Sequence, residues 1–339
     1  MRYKQLATAV VALTILAVLA GCGTQSPSQS NNNTNQLPAS TSSLPKSSSS
    51  HFMPANITFV NANTGYLSGD SVNGKSSTGC VYKTTDGGHT WKKLFDKGSA
   101  VSNVAVLGHD VWVDVTDQQN GGLYYSKDEG QSFDRISSVS LSGIDFTSGN
   151  VGWAVSQNES NMKTVIMKTT DGGKQWAQVY LPNLESGGRA SVSFANQEDG
   201  WLLEASQPGA GNQGKGLLRT ANSGRTWGVI SDVRIGEPTK DKQLGSGGYA
   251  DGIEVVPSHP SNAYVWESRG PLLYTSDGGD SWHRSSATKP EVVEARGVSM
   301  QNVKDGFILL QDMGHRDFIL ERTTNGGDSW QAVHRWSYA

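Results

Sequence analysis

With 339 residues, 40 glycines and only 17% charged side chains, the chain has the composition of a turn-rich β protein rather than a helical one. A formal charge of -3 gives no sign of the basic surface that nucleic acid requires, and two cysteines are too few for a disulfide-stapled scaffold.

The chain opens with Arg2 and Lys4 ahead of an apolar run from Leu6 to Ala20. That run is too short to span a bilayer comfortably and reads as a secretory signal peptide. Its end, Leu19-Ala20-Gly21-Cys22, resembles the bacterial lipoprotein signal. The resemblance implies removal of residues 1–21 and a diacylglyceryl group on Cys22, and two acyl chains on one cysteine give stable anchoring where one short chain does not. Residues 22–50 are almost all Ser, Asn, Thr, Gln, Gly and Pro, with a single charge at Lys46. They cannot bury enough apolar surface to fold and read as a tether. The expected location is the extracytoplasmic face of a cell membrane, held by lipid. Removing the signal takes Lys plus Arg from 28 to 26 and leaves Asp plus Glu at 31, a mature formal charge of -5, so no nucleic-acid partner is expected. With Cys22 lipidated, Cys80 has no disulfide partner inside the chain.

From residue 51 onward an eight-residue box recurs six times: TTDGGHTW from Thr84, SKDEGQSF from Ser126, TTDGGKQW from Thr169, TANSGRTW from Thr220, TSDGGDSW from Thr275 and TTNGGDSW from Thr323. Successive starts lie 42, 43, 51, 55 and 48 residues apart, the period of four-stranded propeller blades. In phase with the boxes, an apolar residue is followed about seven positions later by an aromatic one, as in Phe59 and Tyr66, Phe146 and Trp153, Phe194 and Trp201, and Met300 and Phe307. Val106 and Trp112 give a spacing one shorter in blade two, and Val256 and Tyr264 one longer in blade five. Each unit therefore predicts an inner strand (ITFV, GIDF, SVSF), a second strand led by an aromatic (WAVS, WLLEA, FILLQ), a third (VYKT, LLRT, ILERT) and a fourth opened by the end of the box. The predicted fold is an all-β propeller of six four-stranded blades over residues 51–339.

A box repeated six times reads as architecture. Its Asp-Gly-Gly or Asn-Gly-Gly core supplies residues that tolerate positive φ, and the side chains of Asp86, Asp128, Asp171, Asn222, Asp277 and Asn325 can accept hydrogen bonds from the turn. Asn222 and Asn325 replace the carboxylate in two units, and an isolated DGG lacks the converging oxygens of a calcium loop. The box tryptophans Trp91, Trp176, Trp227, Trp282 and Trp330 are expected to pack on their own turn and the neighbouring blade.

The form Ser/Thr-x-Asp-x-Gly-x-Thr-Trp resembles the Asp-box repeat of sialidases, sortilin-type receptors and xyloglucan-cleaving glycosidases. The combination of VGWAVS and DGWLLEA with KTTDGG is similar to the photosystem II assembly and stability factor family. Over residues 51–339 the resemblance implies a propeller scaffold, and six boxes depart from the seven blades typical of that factor. Function resides in sites carried by a scaffold rather than in the scaffold itself.

In such a propeller, loops joining strands two to three, and blade to blade, crowd one face, and the boxes lie on the other. On the loop face the insertion Ser231–Asp251, with Arg234 and Tyr249, is the longest, and such a loop is either functional or merely long. Arg189, Asp251, Glu294 and Arg296 stand just before inner strands, and Arg269, His315 and Arg316 fall in strand two to three loops. These nine residues are the candidate binding set, suited to clamping a polar ligand through arginine. The bland alternative is a solvated rim.

A sialidase reading meets a specific obstacle: there is no Arg between Arg2 and Arg135 and no Arg-Ile-Pro anywhere, so the first arginine that the resemblance would require is missing. GAGNQG, Gly209 to Gly214, spells a dinucleotide fingerprint, yet a strand-like LLRT follows where a helix should begin. Seven histidines show no paired ligand spacing, so no metal or cofactor is expected. The reading that results is a non-enzymatic, lipid-anchored propeller. It binds a protein partner or cell-envelope polymer, and the resemblance points to an assembly or stability factor for a membrane complex. Its rival is a carbohydrate-active hydrolase of sialidase-like fold.

Overall fold

The computed structural model describes residues 51–157, 163–180, 188–209, 212–233, 248–288 and 292–337. The expected signal peptide, Cys22, the tether and Arg234 lie outside them.

Twenty-four strands form six antiparallel sheets, each taking four consecutive strands in chain order. Blade one holds β1 (His51–Phe59), β2 (Gly65–Asn73), β3 (Ser76–Thr84) and β4 (Lys92–Asp96), and blade two holds β5 (Ala100–Leu107), β6 (Asp110–Thr116), β7 (Gly122–Ser126) and β8 (Asp134–Ser137). Blade three holds β9 (Leu141–Phe146), β10 (Gly152–Gln157), β11 (Thr164–Thr169) and β12 (Ala177–Tyr180), and blade four holds β13 (Arg189–Phe194), β14 (Gly200–Ala205), β15 (Lys215–Thr220) and β16 (Gly228–Val233). Blade five holds β17 (Tyr249–Val255), β18 (Ala263–Ser268), β19 (Leu273–Thr275) and β20 (His283–Arg284), and blade six holds β21 (Val293–Met300), β22 (Gly306–Asp312), β23 (Asp317–Thr323) and β24 (Gln331–Ser337). The six-bladed propeller expected from the boxes is therefore the fold.

The second strand of each blade is buried on both faces, so its apolar residues run almost without interruption. Its leading aromatic and the residue two on face the next blade, and the residue between faces the previous one. Trp153 and Val155 pack with Phe194 of blade four, whereas Ala154 joins Trp112 and Leu123 of blade two. The aromatics also interlock the blades. Trp112 stacks on Phe146 at 4.0 Å and Trp153 on Phe194 at 3.7 Å, while their indole N–H groups donate to Gly172 O and Ser223 O in the next blade's box. Tyr66 and Tyr264 donate likewise to Glu129 O and Gly326 O.

Trp153→Phe keeps an aromatic ring over Phe194 and removes the donor to Ser223 O. The expected loss is about 1 kcal/mol in urea unfolding, the worth of one net hydrogen bond. A loss near the roughly 3 kcal/mol of a deleted core ring would show that the stack itself had been broken.

The ring closes without an exchanged strand, because blade one is wholly N-terminal and blade six wholly C-terminal. β1 packs directly on β21. Phe59 stacks on Phe307 at 3.7 Å, its N–H donates to Ser299 Oγ at 2.8 Å, and the two blades share one apolar cluster.

The box turns share one geometry. In the first, Thr84 Oγ1 donates to Asp86 Oδ1 and accepts from Gly88 N, while Asp86 accepts from Thr90 N and, through Oδ2, from Thr90 Oγ1. Asn222 and Asn325 keep the acceptor and turn their amide N–H to Thr226 and Ser329. Hydrogen bonds from Ser126 and Ser132 hold the Asp128 carboxyl well below the usual range. Trp91 is buried, and its indole donates to Gly88 O in its own turn, as Trp176 does to Gly173 O and Trp227 to Gly224 O. Trp330 donates to Ser285 Oγ, and Trp282 meets Trp201 edge-on. Trp176, Trp227, Trp282 and Trp330 are only partly buried.

Candidate functional site

The inner strands surround a channel with a cavity of about 580 Å³. Five of them carry an extra residue in the same place, Ala55, Ser102, Ser142, Asp251 and Arg296, where the pairing with the second strand skips one position. Such bulges re-aim side chains and gather near functional sites. In blades five and six the bulged residues are the charged pair Asp251 and Arg296, and both line the channel at its loop-face end. β13 alone pairs regularly from Arg189 to Phe194. Alternation along a regular strand puts Arg189, Ser191 and Ser193 on one side.

The structure thus brings Arg189, Asp251, Glu294 and Arg296 to one mouth, but not as four equal groups. Burial pushes the Asp251 carboxyl above its ordinary range; a hydrogen bond from Ser268 and the charges of Arg296 and Arg189 pull it down, and Glu294 pushes it up. Glu294 is itself buried and accepts the backbone N–H of Arg269 at 2.8 Å, holding that residue at φ 57°. Glu294, on β21 of blade six, thereby fixes the β18–β19 turn of blade five. The side chains of Arg189, Arg269 and Arg296 make no hydrogen bond or ion pair among the described residues. Tyr249 begins β17, opposite Ser268. His315 and Arg316 belong elsewhere, in the β22–β23 hairpin. There Asp312 accepts His315 N and lies 2.7 Å from its Nδ1, and Arg316, at φ 58°, accepts Ser337 Oγ.

At the box-face end the lumen carries side chains that the sequence reading overlooked. Each sits one residue before the end of its strand pattern and bonds to the neighbouring blade. Asp145 accepts from Phe194 N, Ser193 from Val255 N, Glu254 from Met300 N, Ser299 from Phe59 N, and Thr58 donates to Val104 O. Polar residues at alternate positions of an otherwise apolar inner strand were the available signal. Burial raises the Asp145 carboxyl to about 6 against the bonds from Phe194 and Phe146, and burial together with the charge of Asp145 raises Glu254 well above the usual range. These carboxyls latch blades together and keep their protons to higher pH than ordinary carboxyls do. Among the described residues no group of three His, Cys, Asp or Glu side chains is placed to hold a metal ion.

No protein-family model and no characterised protein sequence matches the chain. Among solved structures it is similar to YCF48 from Cyanidioschyzon merolae, at 16% identity over 84% of this chain and 85% of that one, TM-score 0.50. It is also similar to a YCF48 bound to D1 peptide, at 18% identity over 84% and 81%, TM-score 0.49. A third similar structure is the α-l-arabinofuranosidase Arb93A from Fusarium graminearum with an iminosugar inhibitor, at 12% identity over 84% and 96%, TM-score 0.52. At these identities the likeness is one of fold, and the same scaffold carries binding proteins and hydrolases alike.

Proposed function

We propose that this chain is a lipid-anchored, extracytoplasmic binding protein whose loop face holds an anionic region of a protein partner or cell-envelope polymer, with assembly or stabilisation of a membrane complex as its role. The observation that carries the reading is the pair of guanidinium groups of Arg189 and Arg296, which lie near the bulged Asp251 and make no hydrogen bond or ion pair among the described residues. A guanidinium that touches no carboxylate directly at a concave mouth keeps its donors for a ligand, and its planar fork suits carboxylate or phosphate. A lipid on Cys22 would hold this face near membrane partners.

The test is capture from detergent-solubilised native membranes with the full chain and with an Arg189→Glu, Arg296→Glu double variant of unchanged circular dichroism. The expected result is a specific complex with the first and none with the second. Equal recovery, or none by either, overturns the reading. Glycan cleavage that survives the double variant and is lost on Glu254→Gln would instead favour a hydrolase, whose acid would need the raised pKa found in the lumen.

A further inference from the structure

A second cavity, of about 310 Å³, opens beside the channel mouth where blade four departs from its neighbours. Because β13 lacks the bulge, Arg189 and Ser191 stay in register with the lumen face, and both line this cavity. Its apolar surface comes from Val155, Leu203, Ala205 and Ala250, each nearly or fully buried, and its polar surface includes Gln157 and Asp251. The wall at Ala250 is pinned from blade four: buried Gln213 accepts Ala250 N at 2.8 Å and donates to Ser206 O at 2.8 Å. That glutamine lies in the loop that spells a false dinucleotide fingerprint.

Arg189 is near enough to act on the Asp251 carboxyl, yet the two form no ion pair. One Asp251 oxygen takes the Ser268 hydroxyl and the other is open. A guanidinium and a carboxylate that line one small cavity of mixed polar and apolar surface without touching leave a gap that a ligand carrying both opposite charges would fill. The volume stands at the small end of ligand pockets and has room for a single amino acid.

We infer that this cavity is a binding site for a free aliphatic α-amino acid, with the carboxylate on Arg189, the ammonium on Asp251 and the side chain against Val155, Leu203, Ala205 and Ala250. Arg189 offers two parallel N–H donors to the carboxylate. Asp251 is an acceptor and takes the ammonium. The apolar wall accepts a branched side chain and gives nothing to a charged one. A zwitterion fits because each end meets its opposite, whereas a molecule with one end blocked leaves a charge at the mouth without its partner.

The inference rests on the loop face being the binding face, but the two fail separately, since this one concerns a small molecule and needs no membrane partner. The experiment is calorimetric titration of the detergent-solubilised full chain with L-leucine, N-acetyl-L-leucine and L-leucinamide. The expected result is saturable binding of leucine and at least about tenfold weaker binding of each blocked form, a difference of about 1.4 kcal/mol. Arg189→Gln should abolish the preference for leucine over leucinamide, and Asp251→Asn the preference for leucine over the acetyl form. Heats that do not saturate with any of the three, or preferences unchanged in both variants, overturn the inference. Binding of the acetyl form alone, with loss in Arg189→Gln, also overturns it and leaves an anion site at Arg189.

Discussion

Asp114→Val is expected to stabilise the protein, and by more at pH 8 than at pH 5. Asp114 lies on β6, fully buried, with no partner for either carboxylate oxygen. It stands two residues after the aromatic Trp112, on the side of β6 that faces blade three. The corresponding residues of the other blades are Ser68, Val155, Leu203, Trp266 and Leu309, so four of five are apolar. Burial raises the carboxyl to about 7 from an ordinary 3.8. Between roughly pH 4 and pH 7 the folded chain keeps a proton that the unfolded chain has released, so stability falls as pH rises through that window and then levels. Three pKa steps correspond to about 4 kcal/mol, the most that this group can take from stability at pH 8. Valine removes that penalty and adds buried methyl groups. Asp145 and Glu254 titrate with the same sign, and buried His334, whose pKa is lowered by burial and by nearby His89, contributes the opposite slope below its ordinary 6.5. The comparison must therefore be wild type against variant, by urea unfolding at both pH values. An equal gain at pH 5 and pH 8 would mean that Asp114 does not titrate in this window.

Asp114 also shows how far the sequence could be read. The stretch Val111-Trp-Val-Asp-Val-Thr puts a carboxylate inside an apolar second strand, and the aromatic phase alone assigns it to a buried position. The blades were legible for the same reason: boxes and aromatics recur because each must fit the same neighbour, so their period reports packing. The bulges were not legible. A bulge is a mismatch between two strands, and Tyr249-Ala-Asp-Gly-Ile-Glu-Val gives no local sign that Asp251 is the residue left over. The candidate residues could be assigned to the loop face because topology assigns faces, but which of them meet at the mouth came from geometry. Glu294 looked like a rim charge and is buried on a backbone N–H, while His315 and Arg316 share the face without joining the mouth. Asp145 and Glu254 went unnoticed because each is one polar residue in a short strand, and only the ring brings them into one lumen.

The same limit applies to the most consequential pair in the molecule. Lys215 opens β15 and Glu267 lies on β18, 52 residues apart, yet Lys215 Nζ is 2.6 Å from Glu267 Oε1 with side-chain exposures of 0% and 3%. Glu267→Leu is expected to destabilise the chain by about 3–5 kcal/mol, because it removes the carboxylate 2.6 Å from a fully buried ammonium, and Lys215→Met, which strips the nearly buried Glu267 carboxylate of that ammonium, should cost a similar amount. The double variant should recover most of the loss, since well-packed apolar groups of similar volume often replace a buried ion pair without penalty. Urea unfolding of the four proteins measures the coupling directly. Single losses below about 1 kcal/mol would mean that water reaches the pair and that it behaves as a surface ion pair. Stability alone does not account for keeping such a pair, so its position is informative. Glu267 pairs through its backbone with Ala250, the residue before Asp251, and the charge of Asp251 pushes the Glu267 carboxyl up. Gln213, two residues before Lys215, fixes the N–H of Ala250. Blade four therefore holds the start of the blade-five inner strand directly through Gln213 and its β18 partner through Lys215, and the bulge that presents Asp251 begins where that hold ends. A folded double variant with weakened leucine binding would separate the two roles: apolar packing can restore the fold, but it cannot restore the charge that orients the mouth.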